Sequence, residues 1–311
     1  MDLKTENTPS QPLVSIVTAT YNCSHLLRFS IQSVVNSTFR DWELLVVGDH
    51  CTDDTEEVVN SFGDSRIKYH NLPTNSGQQS APNNYGVSKA TGRYLCFLNQ
   101  DDMFFPDHLE QMVRTIALNK ANIILARYAV VLPFSDNSDP VIVNGGSPLN
   151  ETRYHPAKWY IASSWFMYRQ DALDVGEWKD QNELAIPPSQ EWLFRAYRVG
   201  KIISCTEEPS LIALYSGARK GSYSNESTFE HAYIYDLMKH DSFRCTLVNS
   251  IRKNESDLNK SPRKAIRNLY DRVAETLLAP IGIHPFLPEM LIRYGGRGGF
   301  VRKWRSKIKS L

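Results

Sequence analysis

The stretch Tyr94-Leu95-Cys96-Phe97-Leu98-Asn99-Gln100-Asp101-Asp102 constrains this chain more than any other. Its first half is an apolar run short enough to be a buried central strand, and the run stops at two adjacent carboxylates followed by Met103-Phe104-Phe105-Pro106. In an open, mostly parallel sheet the ligand crevice lies beyond the carboxyl ends of the strands. Two acids there can hold a hard divalent cation that keeps some waters and shares its ligands with a substrate phosphate. The same residues can also begin a turn before a helix opened by Pro106, and spacing alone leaves both readings open.

Upstream, the same design repeats. Residues 14–18 read as a buried strand with Ala19-Thr20-Tyr21-Asn22 as the loop at its carboxyl end, and Leu27, Ile31, Val34 and Val35 then recur at helical spacing. A second strand at 43–47 runs into Gly48-Asp49-His50-Cys51-Thr52-Asp53-Asp54-Thr55, followed by a helix carrying Val58, Val59 and Phe62. A third short strand at 67–69 leads through Asn75-Ser76-Gly77-Gln78-Gln79 to a helix that stops near Gly92. Such alternation predicts βαβ units and a parallel sheet with helices on both faces. Three strand ends carry polar clusters: 18–22, 49–53 and 99–102. Each alone is an ordinary turn composition, but three at one edge of one sheet make a site.

Composition narrows the partners. With 311 residues the chain can bury one large core or two ordinary ones, and a net charge of +1 excludes a globally basic nucleic-acid binder. Five cysteines (Cys23, Cys51, Cys96, Cys205, Cys245) form no CxxC pair, which suits a reducing, cytoplasmic setting. Residues 1–11 are polar where a signal peptide would be basic and then apolar. No run approaches the roughly 18 apolar residues of a membrane span, so any membrane contact is expected to be peripheral, on the inner face. GxGxxG, GxxxxGK and HExxH are all absent, leaving dehydrogenase, NTPase and zinc-protease readings without support.

The order V-S-I-V-T-A-T-Y-N, L-L-V-V-G-D-H-C-T-D-D-T, N-S-G and Y-L-C-F-L-N-Q-D-D closely resembles the inverting glycosyltransferases of family 2, over roughly residues 12–221. The resemblance implies a GT-A fold, a Rossmann-like, mostly parallel sheet with helices on both faces, over 12–225. It would divide into a nucleotide-sugar-binding half at 12–102 and an acceptor half at 103–225, followed by a helical extension at 226–311. It further implies that Thr18, Ala19, Tyr21 and Asn22 frame the base of a nucleotide sugar, UDP-linked by family preference. Asp49 would accept from the base or ribose, with Gly77, Asn83, Asn99, Gln100 and Asp101 completing the donor site. Asp101 takes the position that touches the divalent cation, Mn or Mg. Tyr21 could alternatively be a surface cap on the sheet.

Three positions depart from the family pattern: Asn99 stands where an aspartate is usual, Gly48 replaces the first of a commonly paired acid, and Asn83 sits where an arginine often meets the diphosphate. Fewer charged ligands imply weaker metal binding. Arg219 or Lys220, in the loop 216–221, could supply the missing positive charge or could be solvated loop charges.

On the acceptor side, residues 123–132 read as a long apolar strand and 133–150 as a loop or peripheral hairpin. Trp159, Trp165, Phe166 and Tyr168 suit sugar rings, but the alternation of 165–168 favours a core strand. In Pro187-Pro188-Ser189-Gln190-Glu191-Trp192, Ser189 is expected to cap a helix that Gly200 closes, which puts Glu191 in the first turn. There Glu191 either complements the helix dipole or points into the cleft. The family resemblance implies the latter, with Glu191 as general base.

Beyond residue 225, Phe229, Tyr233, Leu237 and Met238, then Leu269, Val273 and Leu277, recur at helical spacing. From Arg293 onward no acid occurs, and Phe300, Val301, Trp304, Ile308 and Leu311 would share one helical face. That pattern fits either a helix on an anionic membrane surface or a basic tail packed on the domain. A membrane tail would in turn suit a lipid-linked saccharide acceptor. Two other classes remain open. A nucleotidyltransferase also places acids at strand ends, although its first loop tends to be Gly-rich and basic, and a non-catalytic nucleotide-sugar-binding module would tolerate Asn99 and Gly48.

Overall fold

The computed structural model describes residues 11–135, 138–148, 151–214, 227–259, 261–299 and 302. The basic loop with Arg219 and Lys220, and most of the 300–311 tail, lie outside the described residues.

The first half is the expected alternation: β1 (Val14–Thr20), α1 (Ser24–Val35), β2 (Trp42–Gly48), α2 (Thr55–Asn60), β3 (Ile67–Asn71), α3 (Ser80–Lys89) and β4 (Tyr94–Phe97). β1 lies between β2 and β4, parallel to both, with Val14 opposite Trp42 and Tyr94, and β3 runs parallel outside β2. The second half contributes β5 (Asp102–Phe104), α4 (His108–Leu118), β6 (Ile123–Val131), β7 (Ile142–Gly145), β8 (Trp165–Tyr168), α5 (Arg169–Val175), α6 (Pro188–Arg198) and β9 (Ile203–Leu214). The sheet order is β3-β2-β1-β4-β8-β6-β9-β5, with β7 forming an antiparallel hairpin on β6. β8 runs antiparallel between β4 and β6, so the polarity changes there.

Burial on both faces explains the near-continuous apolar strands. Even-numbered side chains (Ile16, Leu44, Val46, Cys96, Ile124, Phe166) pack against Leu27 and Ile31 of α1 and Met112 and Ile116 of α4. Odd-numbered ones (Val17, Leu45, Leu95, Phe97, Leu125, Trp165, Met167) pack against α5 and α6 through Ala172, Trp192 and Leu193. Trp165, Phe166 and Met167 are therefore core, as their alternation predicts. Farther along that face, Met103, Ala129 and Val131, joined by Ile212 after a register shift in β9, are covered by Ile234 of α7 (Phe229–Leu237) and by Phe243, Leu247 and Ile251 of α8 (Asp241–Asn259).

Two local expectations are corrected. Asp102 neither simply turns nor leads directly to a helix: residues 102–104 add an antiparallel edge to β9, burying Met103 and Phe104 on opposite faces. Helix α6 starts two residues earlier than a Ser189 cap would allow, with Pro188 in its first turn and Pro187 as the cap. Proline loses nothing there, because its missing N–H would be unpaired in any case. Gly200 follows the helix at φ +84°, in the left-handed region, as expected of a terminator.

Of the C-terminal helices, α9 (Pro262–Leu278) is attached largely through polar pairs, and α10 (Leu287–Tyr294) packs Met290, with Phe286 before it, on Ile186. Asp271 pairs with Lys158 at 2.8 Å, Glu275 with His155 at 3.2 Å, and Glu289 with Arg267 at 2.7 Å. The apolar residues of α9 that signalled a helix, Leu269, Val273 and Leu277, face outward.

Candidate active site

Because β1, β2 and β4 are parallel neighbours, their carboxyl ends open at one edge, and the three polar clusters meet there. Gln100 joins the first cluster to the last, since its Oε1 accepts from the Thr20 hydroxyl at 2.8 Å and from the Tyr21 amide at 3.0 Å. Tyr21 is thereby held with its ring half exposed. Asn22 and His50 have left-handed backbones, at φ 44° and 64°. Few non-glycine residues rest there, and Asn is among the most tolerant. Asn22 is secured by the Thr52 amide, which donates to its Oδ1 at 2.8 Å. Thr18 is sealed beneath the loop, and its hydroxyl has no protein partner. Ala19 lines β1 beside Val47.

The second cluster is built around Asp49. Its buried carboxylate accepts from the Ser76 amide and hydroxyl, both at 2.9 Å, and from the Gly77 amide at 2.8 Å, while Asn75 donates to the Asp49 carbonyl at 2.8 Å. Asp49 therefore shapes the Asn-Ser-Gly loop, whose Gly77 sits at φ +67°. A carboxylate has about four acceptor sites, so the three bonds leave one for a ligand. Gly48 has its own explanation: a Cβ there would lie 2.6 Å from Asn71 Oδ1 and 2.8 Å from the Tyr69 hydroxyl. An acid at this position would displace the Asn71 side chain, which caps Cys51. Asn83 is buried on α3.

In the third cluster the two carboxylates part company. Asp102 turns inward, where its Oδ2 accepts from Ser163 at 2.5 Å and from Asn99 Nδ2 at 2.8 Å, and Asn99 N donates to Ser163 Oγ at 2.9 Å. Burial, and then the charge of Asp101, push the Asp102 carboxyl well above the usual carboxylate range. Asn99 thus serves as a donor to Asp102, which an aspartate could not be. Asp101 remains as the candidate cation ligand, and its backbone carbonyl lies 3.1 Å from His231 Nε2 on α7. Among the described residues no group of three or more His, Cys, Asp or Glu side chains could cage a metal. One carboxylate plus a substrate diphosphate is still a sufficient anchor for Mg or Mn, which commonly keep several waters.

Glu191 opens from the first turn of α6, its side chain 14 % exposed. It is not unattached: Oε1 lies 2.9 Å from Lys179 Nζ, and Arg195 grips both oxygens at 3.2 and 3.1 Å. Gln190, beside it, exchanges bonds with the Tyr160 backbone, and Tyr160 leads within three residues to Ser163. One short segment, 160–164, therefore ties the turn bearing Asp101 to the helix bearing Glu191. Lys179 belongs to a second tether: its carbonyl accepts from Ser80, Gln181 N donates to Gln78, and Trp178 exchanges bonds with Asn84. Ser163, Lys179 and His231 carry no sequence signal, because their contacts join distant parts of the chain.

A family model described as glycosyl transferase family 2 matches residues 15–176. The UDP-Glc:alpha-D-GlcNAc-diphosphoundecaprenol beta-1,3-glucosyltransferase WfgD of Escherichia coli is 36% identical over 121 residues, covering 38% of this chain and 47% of that protein. The putative teichuronic acid biosynthesis glycosyltransferase TuaG of Bacillus subtilis is 34% identical over 105 residues, covering 33% of this chain and 41% of that one. The chain thus spans about half the length of the curated relatives it matches. Among solved structures, S. aureus TarS 1-349 in complex with UDP-GlcNAc superposes with a TM-score of 0.55 at 18% identity, covering 82% of this chain and 78% of that one, a likeness of fold. Since the family model spans more than half of the 311 residues and the sheet has the GT-A arrangement, the chain belongs to glycosyltransferase family 2.

Proposed function

We propose that this protein transfers a sugar from a nucleoside-diphosphate donor, UDP-linked, to an acceptor hydroxyl with inversion of the anomeric carbon. The observation that carries the reading is the 160–164 tether, which binds the strand end bearing Asp101 and the helix turn bearing Glu191 into one unit. Tyr21, Asn22 and the free acceptor site of Asp49 receive the nucleoside. Gln100, spent on Thr20 and Tyr21, acts by holding the loop in place.

An acceptor hydroxyl becomes nucleophilic only as its proton leaves, and Glu191 takes that proton, a contribution of roughly 10² to 10⁴ in rate. Arg195 fixes the carboxylate from one side of α6, and Lys179 marks where the base meets the donor loops. A divalent cation held by Asp101 would neutralise charge on the departing diphosphate. One base facing one leaving group implies a single displacement, with no second carboxylate acting as nucleophile.

The E. coli relative's named acceptor is a diphosphoundecaprenol-linked sugar, which supports a lipid-linked saccharide acceptor and a role in surface polysaccharide or glycolipid synthesis. Among the described residues no helix is long and apolar enough to cross a membrane. A peripheral position on the inner face fits both points.

The deciding experiment is Glu191→Gln. Turnover should fall by at least about 10²-fold, with donor affinity by calorimetry unchanged and the melting temperature close to that of the parent. Turnover near the parental rate would place the base elsewhere.

A further inference from the structure

We propose that the outer face of α9, continued by Ile281 and the end of α10, is a docking surface for an anionic lipid bilayer. An ordinary surface helix buries its apolar stripe and exposes its charges; α9 does the reverse. Ile266, Leu269, Tyr270, Val273 and Leu277 fall on one stripe of the 3.6-residue repeat, with Ile266 69 %, Leu269 63 % and Leu277 63 % exposed. Ile281 and, on α10, Leu291 and Ile292 (89 % exposed) extend the apolar surface. The opposite side of α9 carries Asp271 and Glu275, turned inward onto Lys158 and His155.

Charge identifies the occupant. Across residues 261–299 the exposed charged side chains are Arg263, Arg267, Arg272, Arg293 and Arg297, and all are cationic. The three acids of the segment, Asp271, Glu275 and Glu289, are consumed by pairs with Lys158, His155, Arg267 and Arg293, which leaves Arg263, Arg272 and Arg297 with no acid of the segment to match them. A second copy meeting this face through a two-fold axis would set arginine against arginine. The chain's own C-terminal residues are equally basic and bring no negative charge to these arginines. A surface that accepts aliphatic side chains at the headgroup boundary and supplies negative charge around them meets both demands.

The attachment also gives the contact a direction. Lys158 and His155 lead directly to Tyr160, and Tyr160 bonds Gln190 beside Glu191. The bilayer would therefore meet the acceptor side of the molecule; this last step rests on the transferase reading, whereas the docking itself does not.

The test is co-sedimentation of the full chain, without donor or acceptor, with vesicles of phosphatidylcholine alone and of phosphatidylcholine mixed with phosphatidylglycerol. Binding is expected only to the anionic vesicles and should weaken as salt rises. The four-fold change Ile266→Gln, Leu269→Gln, Val273→Gln and Leu277→Gln alters exposed positions only and should lower partitioning by more than about tenfold. Arg263→Glu with Arg272→Glu, an independent variant, should lower it by at least about tenfold. Both leave the basic residues 303–309 in place, so parental binding by both variants would assign membrane contact to that tail and overturn the proposal. No binding by the parent would overturn it as well. So would a parental dimer in sedimentation velocity that the four-fold variant dissolves, because the face would then be a self-association surface.

Discussion

Ser163→Ala tests whether the two halves of the site are held together as described. The Ser163 hydroxyl is sealed from solvent, receives the Asn99 amide at 2.9 Å and donates to Asp102 Oδ2 at 2.5 Å. Alanine removes both bonds at once. The half-buried Asn99 N–H is left without its acceptor, and Asp102 keeps only Asn99 Nδ2 as its side-chain donor. Each orphaned buried group costs about 1–3 kcal/mol, so the variant should lose about 2–4 kcal/mol after partial relaxation. Urea unfolding at neutral pH should show a lower midpoint with an unchanged slope, because the surface exposed on unfolding hardly changes. A second effect is electrostatic. Burial and Asp101 push the Asp102 carboxyl up, and the Ser163 bond opposes that rise, so its loss favours the uncharged acid further. The turn carrying Asp101 would loosen, and metal-dependent donor binding should weaken in parallel with stability. Unfolding within about 0.5 kcal/mol of the parent, the range of ordinary surface changes, would refute the account of this node.

Other outcomes follow from the same geometry. Asp101→Ala should weaken donor binding measured by calorimetry in the presence of manganese; an unchanged affinity would remove Asp101 from the donor site. Gly48→Asp restores an acid usual in the family, yet the contacts at 2.6 and 2.8 Å predict a loss of stability on the order of 2 kcal/mol with no gain in metal affinity; denaturation and manganese titration check both. His108 and His284 are buried and pushed down to about 3, chiefly by burial. The unfolded chain binds protons at ordinary histidine values of about 6.5 that these folded imidazoles refuse, so their contribution is complete above that pH. It drains as pH falls toward about 3, each histidine contributing a slope of about 1.4 kcal/mol per pH unit. His108→Asn should make that acid-limb slope shallower by about 1.4 kcal/mol per pH unit, and an unaltered slope in pH-dependent urea titrations would contradict the assignment.

What the sequence made legible, it did through local pattern. The strands of the first half are apolar without interruption because both faces are covered, and the helices between them carry apolar residues at the helical repeat. β9 escaped because Glu207-Glu208-Pro209 interrupts its apolar run like a loop. The strand survives where its register with β6 shifts around Arg127, whose side chain donates to the carbonyls of Glu207 and Ser147. Proline is tolerated in a strand at such an irregularity. Helix α9 was legible as a helix and misleading as to its buried side, since periodicity shows that a stripe exists and not where it points.

The order of elements, the parallel first half and the three polar strand ends were written into the chain as apolar runs and turn residues, because hydrophobic burial and backbone preference act over a few neighbours. Tertiary structure alone decided the rest. Asp102 reaches a serine 61 positions away, the Asp101 carbonyl meets a histidine 130 positions away, and Glu191 is shared between Lys179 and Arg195. That Asp102 turns to the core depends on donors, Ser163 and Asn99, that only the closed sheet brings within hydrogen-bonding distance.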